Sequence, residues 1–233
     1  SERMTLDGAV NKTAIMLAVL VSTATITWNF SGLLIDFIEL IGIFAAVVSS
    51  FITFGLWIPF IGFIVNPRPY LAPKTWLIFA AGEGFLIGSI SLTFETMFPG
   101  IVLEAVSLTF CVAATLLFLY KSGLVKPSQN FVLMLCSAIF GIMLFYIGAF
   151  IYTLVTGTSP EILSGSSNFS IGLSLFVVGL AALSLVLDFD IIEQSAERGA
   201  PKYMEYFGAM ALVTTLIWLY IEILRLLAKF RSR

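Results

Sequence analysis

Histidine is absent from this sequence, and charged residues make up only 11% of it. Soluble globular domains carry roughly 25% charged residues. Hydrophobic residues make up 59% of the chain, and its mean hydropathy is +1.04. This composition excludes an ordinary soluble domain and is typical of an integral membrane protein. The alternating pattern of a membrane β-barrel is also missing, so we expect helical spans.

The missing residue types exclude several kinds of chemistry. Zinc sites favour His and Cys, but the only cysteines, Cys111 and Cys136, lie in separate apolar runs and are interpreted as small packing residues. The last span has no mid-membrane lysine for a retinal Schiff base, since Lys202 precedes it and Lys229 lies near its end. Without a convincing Ser/His or Ser/Lys arrangement, we expect no enzyme, no catalytic residue and no cofactor. A net charge of −2 argues against a nucleic-acid partner.

Long apolar runs divide the chain into seven predicted spans within a single transmembrane domain, 1–233. No cleavable signal peptide is expected. The second span is long for a straight crossing, and Gly55, Pro59 and Gly62 favour a kink near its end. The predicted spans are 10–29, 34–64, 74–97, 99–120, 130–156, 169–192 and 203–228.

The basic residues of the connections predict the orientation, because Lys and Arg collect on the cytoplasmic side. Eight of them fall on one side of the seven spans, and the three opposite loops contain none. The N-terminus is therefore predicted to be cytoplasmic. The eight are Arg3, Lys12, Arg68, Lys74, Lys121, Lys126, Arg198 and Lys202.

The basic tail disagrees with this rule. Seven complete crossings would place Lys229, Arg231 and Arg233 on the outer side. Either the earlier spans dominate the orientation, or the last segment dips into the membrane and returns. We favour seven crossings.

Five of the acidic residues that fall within predicted spans are functional candidates, because an ionisable group there costs about 2.5–3.5 kcal/mol on insertion scales. For Glu222, the alternative to a functional role is a local salt bridge with Arg225, three residues later. Glu83 lies beside the small-xxx-small pattern of Gly84 and Gly88, so its alternative is a structural role in the contact between two helices. The five are Glu83, Glu104, Asp188, Asp190 and Glu222.

Acidic groups facing a shared interior would suit a hard cation such as calcium, which prefers oxygen ligands. A transient calcium site is therefore predicted at Asp190, Asp188 and Glu104, and the ion pathway at Glu104, Glu83 and Glu222. Successive helical residues rotate by about 100°, so Asp188 and Asp190 are expected on different helix faces. Asp190 and Glu193, three residues apart, should share one face.

Three stretches resemble the bacterial branch of the Bax inhibitor family, the transmembrane BAX inhibitor motif proteins. They are "RMTLDGAVNKT" (3–13), "PGIVLEAVSLTF" (99–110) and "LVLDFDIIEQSAERGAPKYMEYFGAMALVTTLIWLYIEILRLL" (185–227). The resemblance implies a seven-helix bundle with the last helix enclosed by the others. It also implies a calcium leak channel in a bacterial plasma membrane, responsive to pH through paired aspartates in helices six and seven and latched by an arginine.

Carried onto this chain, the family's aromatic-Asp signature in helix six matches Phe189-Asp190, so Asp190 is the first choice for the proton sensor and Asp188 the second. Arg68 is the candidate latch. Glu104 falls at a family-like acidic position. The second sensing aspartate is missing, because Thr214 or Thr215 occupies its place.

Two functions follow as hypotheses. The first is a pH-sensitive calcium leak channel gated by intramembrane carboxylates. The second is a non-conducting interaction protein that regulates a membrane protease or another membrane complex, as the missing aspartate and the lack of catalytic residues would allow. In both, the lipid bilayer is the surrounding partner.

Overall fold

The computed structural model describes residues 3–29, 40–41, 44, 56–58, 63–65, 68–158 and 160–233. Within them, six helices are long and apolar enough to span a membrane. These are α1 (Leu6–Asn29), α2 (Ala72–Met97), α3 (Ile101–Lys121), α4 (Gln129–Thr156), α6 (Asn168–Glu197) and α7 (Tyr203–Arg231). A 3-10 turn, Pro69–Leu71, leads into α2, and the short α5 (Glu161–Ser164) precedes α6.

The predicted second span, 34–64, lies largely outside the described residues, so the seventh helix stays a prediction. Its final part departs from the expected kinked helix. Strands β1 (Leu56–Ile58) and β2 (Phe63–Val65) pair there as a short antiparallel ribbon. Aromatic and β-branched residues dominate both strands, a composition that favours extended backbone over helix.

The last helix, α7, forms the centre of the described bundle. It contacts α1, α2, α3 and α6, and half of its most apolar window is buried, more than for any other described span. One buried cluster joins α7 through Leu219 and Leu224 to α2, α3 and α6. A second joins Met210 and Val213 to α1 and α2. The expectation of an enclosed last helix therefore agrees with the described contacts.

The predicted small-residue face of α2 packs against α1. A Cβ atom added to Gly84 would overlap the Leu20 carbonyl and the Thr23 hydroxyl. One added to Gly88 would lie 2.8 Å from Thr27 Cβ and 2.9 Å from the Ala24 carbonyl oxygen. Glycine at these two positions therefore lets the two backbones approach closely, which is how helices associate inside a bilayer.

The eight basic connection residues gather at one end of the bundle, here called the basic end, as predicted. Arg3 pairs with Pro201 in the α6–α7 connection, and the Lys12 ammonium lies 5.0 Å from the Tyr206 ring centre. The 3-10 turn that follows Arg68 also contacts α7. The other end, here called the opposite end, holds the α2–α3 connection and the start of α6.

The last segment was predicted either to cross the membrane or to dip in and return. In the structure, α7 runs as one continuous helix from Tyr203 at the basic end to Arg231 at the opposite end. There the Arg231 guanidinium donates to the Pro99 carbonyl at 2.7 Å, and that of Arg233 donates to the Ser166 carbonyl at 3.2 Å. The basic tail is thus bonded to loop carbonyl groups at the end of the bundle opposite to the eight basic connection residues. The segment does not dip and return.

Candidate functional site

Asp188 faces the last helix from α6. Its Oδ2 atom is buried and has no hydrogen-bond partner within the described part of the chain. The Thr215 hydroxyl of α7 interacts with the carboxyl group, although it also lies 3.2 Å from the Ala211 carbonyl oxygen. A hydroxyl has one hydrogen, so it cannot satisfy both acceptors at once. Asp188 is therefore an incompletely satisfied acid at the seam of α6 and α7.

A small cavity of about 70 Å³ adjoins Asp188. Its walls come from α6, from α7 and from Met4, which precedes α1. The cavity lies between Asp188 and the basic end, because Ser195 and Met204 at the α6–α7 connection also line it. A space of this size is large enough for one or two water molecules.

Asp190 points to a different helix. The Tyr120 hydroxyl of α3 donates to Asp190 Oδ1 at 3.2 Å and also contacts Glu193 Oε2. The Gln194 amide donates to Asp190 Oδ2 at 2.6 Å. The Tyr120 hydroxyl contacts both carboxylates of α6, although its one hydrogen can be donated to only one of them at a time, and so joins the basic ends of α3 and α6.

The predicted separation of the two aspartates is confirmed: Asp188 faces α7 and Asp190 faces α3. The predicted common face of Asp190 and Glu193 is confirmed as well, because both contact Tyr120. Asp188 meets Thr215, which is one of the two positions where the resemblance implies a second acid. Asp188 is therefore the aspartate of the pair that contacts the last helix.

Glu222 forms the predicted bridge with Arg225. The Glu222 side chain is only 4% exposed, and its Oε1 atom lies 3.1 Å from Arg225 Nη1. Tyr146 of α4 donates to Glu222 at 3.3 Å and accepts from Arg225 at 3.1 Å. This acid is thus neutralised locally and joins α4 to α7, which argues for a structural role.

Glu104 lies far from the aspartates. It occupies the first turn of α3, is exposed, and pairs with Arg231 at 2.6 Å at the opposite end. Tyr120, which contacts Asp190, lies sixteen residues further along the same helix, or about 24 Å. The predicted calcium site at Asp190, Asp188 and Glu104 is therefore wrong in its geometry, because helical rise separates Glu104 from the other two. The described residues contain no cluster of three metal-ligating side chains.

Glu83 is half-buried and, within the described ranges, makes no hydrogen bond or ion pair. Its helix runs parallel to α7, and the bond of 2.6 Å between the Ser91 and Tyr220 hydroxyls sets their relative depth. By that register Glu83 lies within about 4.5 Å, along the axis, of the level of Thr215. Among the five candidate acids, Glu83 and Asp188 are the ones for which the described residues provide no full set of partners, and their positions on α2 and α6 lie at a similar depth beside α7.

Arg68 does not form the predicted latch in this structure. It precedes the 3-10 turn at the basic end, is exposed, and makes no ion pair with Asp188 or Asp190, all three residues being described. Neither the apolar pocket between α1, α2, α3 and α7 nor the cavity at Asp188 is lined by Glu104, Asp190 or Glu222. The ion pathway assigned to Glu104, Glu83 and Glu222 remains a prediction.

Several polar residues that sequence reasoning missed hold the bundle together. The Lys229 ammonium is buried and donates to Ser174 Oγ at 2.7 Å, although sequence placed it at the helix end only. The Glu95 carboxylate accepts from the backbone N–H groups of Gly100 at 2.6 Å and Val102 at 3.1 Å, and so caps α3. Glu205 is 2% exposed and bonds to Thr5. Their partners are distant in the chain or of common residue types, so no local pattern marks them.

Cys111 and Cys136 are unlinked, but they are exposed on the outer faces of α3 and α4. Neither cysteine is therefore buried in the described bundle, and the interpretation of both as small packing residues remains a prediction. Cysteine tolerates an apolar surface as well as a core, because it behaves as a small hydrophobic residue. Inside a bilayer the hydropathy of a residue does not distinguish a lipid-facing position from a buried one.

The bridge at Glu222 gives a testable prediction. Arg225→Met removes the cation and leaves Glu222 buried without it, so we expect a loss of about 2 kcal/mol in the free energy of unfolding, since Arg225 is partly exposed. Adding Glu222→Gln should recover most of that loss, because no buried charge remains. Denaturant unfolding in detergent measures both. If the double variant is less stable than Arg225→Met, the bridge is not the stabilising element described.

The family assignment rests on the whole chain. A family model described as Bax inhibitor 1 like matches residues 1–232. No curated protein matches the chain. The family match spans all six described membrane helices, including the α6–α7 seam with Asp188 and Thr215. The chain therefore belongs to the Bax inhibitor 1 like family of multi-pass membrane proteins.

Proposed function

We propose that this protein is a cation leak channel, with calcium as the permeant ion, and that the charge of Asp188 controls it. The observation that carries the proposal is the buried Asp188 oxygen without a partner. An unsatisfied buried polar atom costs about 1–3 kcal/mol. The carboxylates of Glu222, Glu104, Glu95 and Glu205 all have partners, whereas one oxygen of Asp188 has none. We infer that this energetic cost is retained because Asp188 has a function beyond folding.

The proposed route passes beside α7 at the level of Asp188 and Glu83. Carboxylate oxygens suit calcium, and a partly hydrated ion needs few protein ligands at any one point. Thr215 in place of a second aspartate leaves one acid at the seam instead of a pair. The charge of Asp188, and with it the attraction for a cation, then depends on pH. Asp190 has its own partners in Tyr120 and Gln194 and serves mainly to join α3 and α6.

In this proposal the protein lies in the plasma membrane of a bacterium. Its basic end and its N-terminus face the cytoplasm, as the basic residues of the connections predict. Calcium is cargo, and the protein's own residues perform no covalent chemistry.

Purified protein reconstituted into liposomes that contain a calcium dye tests the proposal. We expect calcium entry above that of empty liposomes, with a rate that changes between neutral and acidic pH. Glu104→Gln is the comparison, because this acid is exposed, is paired with Arg231 and lies far from Asp188. Wild-type flux in this variant agrees with a route at Asp188, whereas a loss of flux would place Glu104 in the route instead. Flux no greater than in empty liposomes at either pH would rule out conduction by the protein alone.

The second candidate is a non-conducting protein that regulates a membrane protease or another membrane complex. The local neutralisation of Glu222 by Arg225 and of Glu104 by Arg231 favours it, since paired acids need no ion to satisfy them. Crosslinking in membranes followed by purification separates the two candidates. A stable partner without intrinsic flux supports the second, whereas flux without a partner supports the first.

A further inference from the structure

The segment Arg3–Thr5 lies across the connection between α6 and α7. The Met4 backbone N–H donates to the Ala200 carbonyl at 2.7 Å, and Arg3 pairs with Pro201 as an isolated β-bridge. These contacts join the start of α1 to the basic end of the two helices that carry Asp188 and Thr215. The segment therefore covers the mouth of the seam from the basic end.

Glu205, in the first turn of α7, fastens the segment. Its Oε1 atom accepts from the Thr5 backbone N–H at 2.9 Å and from the Thr5 hydroxyl at 3.0 Å. A Cβ atom on Gly8 would overlap this carboxylate, so glycine there leaves room for it. A carboxylate at the start of α1 also interacts favourably with the helix dipole. The bonds from Thr5 thus link α1 to α7 at a buried point.

Met4 fills the space between this fastening and the Asp188 cavity. It is 4% exposed, packs with Ala9 and Ile192, and forms part of the cavity wall. Its apolar side chain lines the same cavity as the unpartnered carboxylate. A hydrophobic constriction at the end of an ion route stops ions because water leaves it. Methionine is flexible and unbranched, so it can vacate the space by rotamer changes.

We propose that Arg3–Thr5 is a strap that closes the Asp188 cavity, with Met4 as its plug and the contact between Thr5 and Glu205 as its fastening. This inference rests on the proposed function, because it names how the cation route through that cavity is closed at the basic end. Release of the strap exposes the cavity to the aqueous phase without any rearrangement of α6 or α7.

Thiol accessibility tests the strap without reference to transport. Ala211 lines the same cavity, one turn before Thr215. The Ala211→Cys variant is made in a background of Cys111→Ala and Cys136→Ala and treated with a cationic, membrane-impermeant methanethiosulfonate. We expect slow modification with the native strap and roughly tenfold faster modification with Met4→Ala, because a large buried contact is lost. Met4→Leu, which conserves volume, should react like the native strap.

The contact between Thr5 and Glu205 provides a second pair of variants, which change the structure less than Met4→Ala does. Thr5→Val removes the hydroxyl bond to Glu205 and keeps the shape, so modification should accelerate severalfold; Thr5→Ser keeps the bond and should not change the rate. Size-exclusion profiles in detergent establish that each variant is folded. Should Met4→Ala not fold, the Thr5 pair decides alone. Equal rates in Thr5→Val and Thr5→Ser, or in Met4→Ala and Met4→Leu, would overturn the strap.

Calcium flux in liposomes separates failure of the strap from failure of the proposed function. Faster modification in Met4→Ala together with faster flux supports both. Faster modification with no flux in any variant keeps the strap and removes the channel. Native flux that stays unchanged in Met4→Ala, with unchanged modification, removes the strap and keeps the channel.

Discussion

Replacing Gly84 by alanine is expected to lower the free energy of unfolding by about 2–3 kcal/mol, in the upper range for overpacking. The added methyl group would occupy the place of the Leu20 carbonyl and the Thr23 hydroxyl on α1. A backbone carbonyl cannot turn aside as a flexible side chain does, so the whole α1–α2 contact must open. Since α1 also packs against α7, the separation would loosen the second buried cluster as well.

Gly141→Ala is the matched control, because a Cβ atom at that position of α4 meets nothing within 4 Å. The same substitution there should be neutral or slightly stabilising, since alanine has the higher helix propensity. Denaturant unfolding in detergent compares the two variants directly. Equal stability of both would show that the close approach of α1 and α2 does not hold the bundle together.

Asp188→Leu is expected to make the protein more stable and less active. The substitution removes a buried oxygen without a partner, worth about 1–3 kcal/mol, and the neighbouring cavity gives the larger side chain room. Calcium flux should fall to a small fraction of the wild-type rate, because the route loses its acid. A gain in stability with a loss of activity is typical of a residue retained for function.

Asp190→Leu is the comparison for that variant. It removes the acceptor of the bonds from Tyr120 and Gln194, so the stability should fall instead of rising. Thermal unfolding and liposome flux are measured on the same preparations. A loss of stability in Asp188→Leu equal to that in Asp190→Leu would mean that Asp188 is an ordinary structural residue.

Local patterns in the sequence predicted much of this architecture. The span predicted at 203–228 corresponds to the helix Tyr203–Arg231, and the span predicted at 99–120 corresponds to Ile101–Lys121. These matches arise because a helix needs about 20 apolar residues to span the hydrocarbon core. Helical rotation placed Asp188 and Asp190 on different faces. The three-residue spacing of Glu222 and Arg225 predicted their bridge. Each of these inferences depends on residues within one helix.

Side-chain contacts between different helices could not be predicted from local sequence patterns. Tyr120 meets Glu193 across 73 positions of the chain, and Thr5 meets Glu205 across 200. No periodicity records partners so far apart, since the tertiary arrangement alone brings them together. The family signature favoured Asp190, but the register of α6 against α7 brings Asp188 to Thr215. Glu104 had the same apolar surroundings in sequence and lies exposed at the opposite end.

The control of the channel by Asp188 is tested by calcium flux in Asp188→Asn, measured beside Asp190→Asn in liposomes of the same composition. Asparagine keeps the shape of the side chain and removes its charge. We expect Asp188→Asn to lose most of the flux and its response to pH, and Asp190→Asn to keep both. Wild-type flux and pH response in Asp188→Asn, with their loss in Asp190→Asn, would show that Asp188 is not the controlling acid.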